Sequence, residues 1–250
     1  MNNSYFSERR SIRNFSGKEV SEELLNSILE RAMKAPTTGN MQLYSVVVTR
    51  DKEGLRKLAP LHFSQPAAVG APVILTVCAD LYRFTRWCNL RGADAGFDNF
   101  LSFMSAFADA LIYAQQVVTI AETEGLGTCY LGTVTYNAPE ISKLLDLPKL
   151  VIPAACLALG WPEGEGEKTE RISLEGLIHR ESYNRHTDDE IIDIFKIKEE
   201  FEPNKGYVKE NGKENLAQVF AEVRYPRQMN EEFSEKFLTY LKEEGIIANG

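Results

Sequence analysis

The chain has 250 residues, 44% hydrophobic and 26% charged, a globular balance that excludes a disordered, collagen-like or coiled-coil protein. A net charge of −8, from 36 acidic and 28 basic residues, argues against a nucleic-acid surface. The charge is uneven: residues 187–250 carry 15 acidic and 9 basic side chains, net −6, which leaves −2 for the first 186.

Met1 to Tyr5 lacks the charged-then-apolar pattern of an export signal, so a cytoplasmic location is expected. The dense basic cluster Arg9, Arg10 and Arg13 follows. Ser21 to Lys34 is predicted helical: Leu24, Leu25, Ile28, Leu29, Ala32 and Met33 share a face. Ser21 can cap it, Val20 can staple onto Leu25, and Pro36 stops it. Tyr44 to Thr49 and Pro72 to Ala79 are predicted as buried strands. Asp98 to Glu124 is a long helix, apolar on most sides and closed at Gly125, which suits a core or a dimer interface. Its Asp and Gln residues make a membrane span unexpected. Leu150 to Leu159 is a further buried strand, and Asn230 to Glu244 an amphipathic helix with Phe233, Phe237, Tyr240 and Leu241 on one side. Strands and helices mix without a strict βαβ rhythm, so the expected class is α+β.

Several motifs fail. Gly125-Leu126-Gly127 begins like a dinucleotide fingerprint, but Tyr130 takes the third glycine position and a helix precedes it. His62, His179 and His186 are too dispersed for a metal site. Cys78, Cys88, Cys129 and Cys156 form no CxxC and read as buried thiols in a reducing compartment.

Three segments carry binding chemistry. Arg9-Arg10-Ser11-Ile12-Arg13 offers three guanidiniums and a hydroxyl, the fork-shaped donors that a phosphate requires, or else a solvated basic turn. Ala35-Pro36-Thr37-Thr38-Gly39-Asn40-Met41-Gln42 is a turn dense in hydroxyl and amide donors. Gly125 to Thr133 places three glycines where a helix gives way to an extended segment, and backbone N–H groups there can approach a flat ligand.

In this order, with Gln65, Cys78-Ala79-Asp80, Leu159-Gly160-Trp161-Pro162 and Arg171, these segments resemble the FMN-dependent nitroreductase superfamily, particularly its NADPH-preferring flavin-reductase branch. The resemblance runs through the first ~185 residues. It implies that Arg9, Arg10, Ser11 and Arg13 hold the FMN phosphate and ribityl chain. Thr37 would reach the flavin from a second subunit, with Asn40 and Gln42 lining the same pocket. Gln65 would touch the ring system, and Tyr130, Leu131, Gly132 and Thr133 would run along the isoalloxazine edge. Arg171 matches a second phosphate-binding arginine. A lysine is frequent two positions earlier in the family; this chain has Thr169 there, with Lys168 beside it.

The resemblance further implies no obligatory catalytic side chain, because the flavin carries the redox chemistry. The expected reaction is ping-pong: NAD(P)H, with NADPH favoured, reduces the flavin, and a nitroaromatic, quinone or free flavin reoxidises it. Reductive dehalogenation is another family chemistry, and a flavin carrier or sensor without turnover is the rival. Arg224 and Arg227 offer an NADPH 2′-phosphate site or are solvated surface groups. The implied fold is a mainly antiparallel sheet flanked by helices in a homodimer. The expected division is an FMN-binding core, 1–186, and an acidic C-terminal extension, 187–250, packed on the core or the partner. No nucleic acid, membrane or metal is expected.

Overall fold

A computed structural model describes residues 4–248, so Met1 to Asn3 of the stretch read for an export signal lie outside the described residues. The elements are α1 (Ser4–Glu8), α2 (Glu22–Ala32), β1 (Tyr44–Thr49), α3 (Lys52–Leu61), α4 (Pro66–Gly70), β2 (Val73–Asp80), α5 (Tyr82–Leu90), α6 (Phe100–Thr123), β3 (Gly127–Tyr130), α7 (Ala138–Leu144) and β4 (Val151–Gly160). Then come α8 (Asp188–Glu200), α9 (Glu202–Glu210), the short α10 (Leu216–Gln218) running into a π-helical turn at Val219–Arg224, and α11 (Arg227–Glu243).

The four strands form one antiparallel sheet in the order β1-β2-β4-β3. Every residue of β2 and β4 is buried, which is why both read as continuous apolar runs: helices cover both faces. On one face Val73, Leu75, Val77, Leu157 and Leu159 pack with Leu25 and Ile28 of α2 and with Ala110, Ala114 and Val117 of α6. On the other, Ile74, Cys156 and Ala158 pack with Leu58 of α3, Ala67 of α4 and Ile141 of α7. Pro153, unable to donate to a ladder, sits opposite Cys78 where the β2–β4 register shifts. It lies beyond the part of β4 that pairs with β3.

The α2 cap is as the sequence indicates: Ser21 Oγ accepts from Leu24 N at 3.2 Å, a bond of about 1 kcal/mol. Gly125 takes φ 86° just past α6, the left-handed position that ends a helix. By length and composition alone α6 is able to cross a membrane, contrary to the expectation drawn from its polar residues. Its buried face instead belongs to the core, from Phe103 through Ala121.

The chain divides into two compact units: Met1–Glu167 with Phe233–Gly250, and Lys168–Glu232. The break in packing thus precedes the break in charge at 186/187, because charge marks solvation rather than contact. The end of the chain returns to the first unit, where Phe237, Tyr240, Leu241 and Ile246 join the core. In the second unit Thr187 and Glu190 form a reciprocal capping box at the start of α8. Ile191, Ile192 and Phe195 face Leu216 and Phe220 across an open apolar groove of about 470 Å³.

Candidate functional site

The arginine segment is fastened along its length to the end of the sheet. Ile12 N donates to Thr128 O at 2.9 Å and Ser16 N to Trp161 O at 2.8 Å. A Cβ on Gly127 would stand 2.7 Å from the Ile12 side chain, so glycine there is what lets the segment lie against β3. Among the described residues the three guanidiniums differ sharply. Arg9 pairs at 3.1 Å with Glu122, whose side chain is only 9% exposed. Glu122 also accepts from Tyr5 Oη at 2.6 Å and from Thr128 Oγ1. Arg10 pairs with the exposed Glu165 at 3.1 Å and Glu8 at 3.7 Å. Arg13 is exposed, and no carboxylate among the described residues lies within ion-pairing distance of it.

Arg9, Arg10, Glu122, Gly127 and Glu165 line a cleft of about 480 Å³. Burial pushes the Cys129 thiol up, and Arg13 and then Arg9 pull it back, which puts both cations beside β3. Tyr130 is pushed up to about 12, chiefly by burial. Gly132 has open space where a Cβ would stand. No contact among the described residues therefore asks for glycine at this position.

The Thr37–Gln42 turn hangs on α6. Thr38 N and Oγ1 both donate to Asp109 Oδ1, at 2.8 and 2.9 Å, and Asp109 is 2% exposed. Arg83 Nη2 donates to Gln42 O at 2.8 Å from the other side. Gly39, Asn40 and Gln42 all take left-handed φ, 55°, 56° and 54°. A non-glycine residue there costs of order 1 kcal/mol and persists because its surroundings hold it. Thr37 Oγ1 and Asp109 Oδ2 are buried without a partner among the described residues.

Gln65 caps α4 and is half-buried. It connects to Thr133 through a residue the sequence reading passed over. His62, 0% exposed, bonds Thr133 Oγ1 through Nδ1 at 2.9 Å and Cys156 Sγ through Nε2 at 3.3 Å. Burial lowers His62 to about 4 and raises Cys156 to about 12, so both are neutral.

The structure thus brings Arg9, Arg10, Ser11 and Arg13 beside β3, and links Gln65 to Thr133 through His62, whose carbonyl accepts from Gln65 N at 3.2 Å. It hangs Thr37, Asn40 and Gln42 from a different part of α6. Arg171 belongs to the second unit, where its Nη1 donates to Thr169 Oγ1 at 2.7 Å. Arg224, in the same unit, stacks over Tyr207 at 4.6 Å, and Arg227 pairs with Glu231 at 3.4 Å. Asp109, Glu122 and His62 were not singled out from the sequence. The available signal was a carboxylate inside an otherwise apolar helix face, which demands a fixed partner.

Comparison with known proteins gives the family. A model of the nitroreductase family matches residues 6–161. The FMN reductase (NAD(P)H) of Bacillus subtilis is 32% identical over 227 residues, 88% of this chain and 90% of that protein. The FMN reductase (NADPH) of the same organism is 31% identical over 182 residues, 72% of this chain and 73% of the relative. A crystal structure from Bacteroides fragilis is 45% identical with a TM-score of 0.95, covering 97% of this chain and 98% of that one. The NfrA1 nitroreductase of Bacillus subtilis superposes with a TM-score of 0.85 at 27% identity, over 98% and 99% of the two chains.

The buried histidine sets a pH dependence. Its folded value of about 4 lies below the ordinary 6.5. As pH falls through that window the unfolded chain takes up a proton that the folded chain refuses, so stability is whole above the window and lost within it. The loss is about 1.4 kcal/mol per pH unit, roughly 3 kcal/mol across the window. Urea midpoints measured across this window should fall more steeply for the wild type than for His62→Gln; parallel curves would show that His62 is not held neutral.

Proposed function

The chain belongs to the nitroreductase family, and we propose that it is an FMN-dependent oxidoreductase that draws on NADPH, or NADH, to reduce a nitroaromatic, quinone or free flavin. The observation that carries this reading is Arg13: an exposed guanidinium with no carboxylate partner among the described residues, on a segment tied to β3 just before Tyr130–Thr133. FMN held there would supply the redox chemistry between a nicotinamide and the acceptor.

The chain's part is to bind and orient. Arg13, Ser11 and Arg10 hold the phosphate. Arg10 is available because its partners Glu165 and Glu8 are exposed, and such surface pairs contribute only about 0–1 kcal/mol. Arg9, paired with the buried Glu122, keeps the segment in place and adds its field. The backbone of Tyr130 to Thr133, with Gly132 giving close approach, lies along the ring edge, and Gln65 contacts the ring. Four buried free cysteines suit a reducing compartment, and a cytoplasmic location is part of this reading.

The active unit we propose is a homodimer with shared sites. Asp109, which holds the Thr38 turn, and Glu122, which holds Arg9, are both on α6, about 20 Å apart along its axis. Thr37, Asn40 and Gln42 therefore complete the site of the other chain. The outer face of α6 provides the seam: Leu101, Met104, Leu111 and Ile112 are exposed at helical spacing. Covering Leu101 contributes about 1.5–2 kcal/mol, and each of the other three, already more than half covered, about 1 kcal/mol.

The purified protein should be yellow, release FMN rather than FAD, and bleach on anaerobic addition of NADPH. A colourless preparation that cannot be reconstituted, or a flavin that NADPH leaves oxidised, overturns the reading. Arg13→Ala should weaken FMN retention about tenfold or more, since a charge-assisted bond contributes roughly 1.5–3 kcal/mol. Arg13→Lys should restore only part, as an ammonium lacks the fork; ultrafiltration of the holoprotein measures both. Sedimentation over a concentration series should find the FMN-loaded form dimeric at lower concentrations than the stripped form. A monomer with stoichiometric FMN and full NADPH oxidation would exclude the shared site.

A further inference from the structure

Gln65, at the end of the Phe63–Gln65 turn, and Tyr130–Thr133 are the parts assigned to the flavin ring; they leave different elements yet are sewn together inside the protein. His62, directly after α3, is the central stitch, bonded to Thr133 Oγ1 at 2.9 Å and to Cys156 Sγ on β4 at 3.3 Å. Thr76 Oγ1 on β2 stands 3.9 Å from the same sulfur. A second stitch lies one residue earlier: Asn137 Nδ2 donates to Leu61 O at 2.7 Å, and Lys236 Nζ donates to Asn137 Oδ1 at 3.0 Å. Between these bonds and Gln65, Phe63 and Ser64 take left-handed φ of 55° and 49°. Such backbone persists only where its flanks are held.

The apolar cluster to which its partner Cys156 belongs, with Leu58 and Ile141, does not itself call for an imidazole. A leucine would fill such a layer without burying two ring nitrogens. What the imidazole alone supplies is a rigid bridge with a polar atom at each end. The donor inventory orients it. A thiol gives its proton more readily than its sulfur accepts one, so Cys156 S–H donates to Nε2 and Nδ1–H donates to Thr133 Oγ1. Thr133 then keeps its own O–H for another acceptor.

We propose that His62 is a positioning residue of the flavin site: it locks the Phe63–Gln65 turn and the Thr133 hydroxyl into one preformed wall against which the ring of FMN is seated. This rests on the FMN reading above. His62 does not touch the ring; it acts through Thr133 and Gln65, and the benefit is pre-organisation, since a wall already ordered loses less freedom when the cofactor binds.

The test compares holoprotein of the wild type with His62→Ala, His62→Asn, Thr133→Val and the His62→Ala/Thr133→Val double variant. FMN dissociation is followed by ultrafiltration, together with the visible spectrum of the bound flavin. His62→Ala and Thr133→Val should each release FMN about tenfold more readily and shift the flavin band. The double variant should be little worse than either, because both break one bond. His62→Asn, which keeps a donor near the Nδ1 position, should recover most of the affinity and the spectrum; general loss of core packing would not be rescued in this way. Wild-type affinity and spectrum in His62→Ala, or fully additive losses in the double variant, overturn the proposal. If His62→Ala does not fold, Thr133→Val and His62→Asn decide it by the same two readouts. A wild-type protein that binds no FMN would instead overturn the function itself.

Discussion

Burial of β2 and β4 on both faces governs this molecule. Two neighbouring strands with no solvent-facing residue leave the sheet unable to carry a site on its surface, and helices must occupy both sides. The segments proposed above to bind FMN accordingly lie at the rim: the arginine segment along β3, the turn hung from α6, and the loops that follow α3 and β3. The helical layers are scaffolding in the strict sense that their apolar faces are spent on the sheet.

Rim loops need anchors, and here the anchors are polar groups sunk into an apolar body. Asp109 holds the Thr38 turn, Glu122 gathers Arg9, Tyr5 and Thr128, and His62 ties Thr133 to the end of α3. A buried carboxylate or imidazole is costly without partners and directional with them. Each therefore works as a peg whose position is inherited from the rigid element that bears it. Two of the three pegs stand on α6, the helix that also bears the exposed apolar residues of the proposed seam. Pairing of two chains along that seam would carry both loop anchors with it. Cofactor binding and association then share one structural element, which is a physical basis for their linkage.

How much of this is legible in the sequence can be judged element by element. The span of β1, the Ser21 cap and the left-handed Gly125 follow from local pattern and local stereochemistry, and β2, β4 and α6 differ by only a residue or two at their ends. These features depend on neighbours within a turn or two, so the chain states them directly. The ordered set of arginine segment, polar turn and glycine segment likewise sufficed to indicate the family.

Other features belong to the tertiary structure alone. Three arginines within five residues are equivalent in the sequence. Only packing pairs Arg9 with a carboxylate from the far end of α6, lends Arg10 two surface partners, and leaves Arg13 without a carboxylate among the described residues. The acidic tail looks like one segment, yet its last residues enter the main core, because apolar contact and not charge decides where a segment packs. His62, set aside with two other histidines as dispersed, turns out to meet Thr133 and Cys156, which are 71 and 94 residues away. Local preference is written in consecutive residues; the meeting of distant polar groups is decided only when the sheet and its covering helices have closed around them.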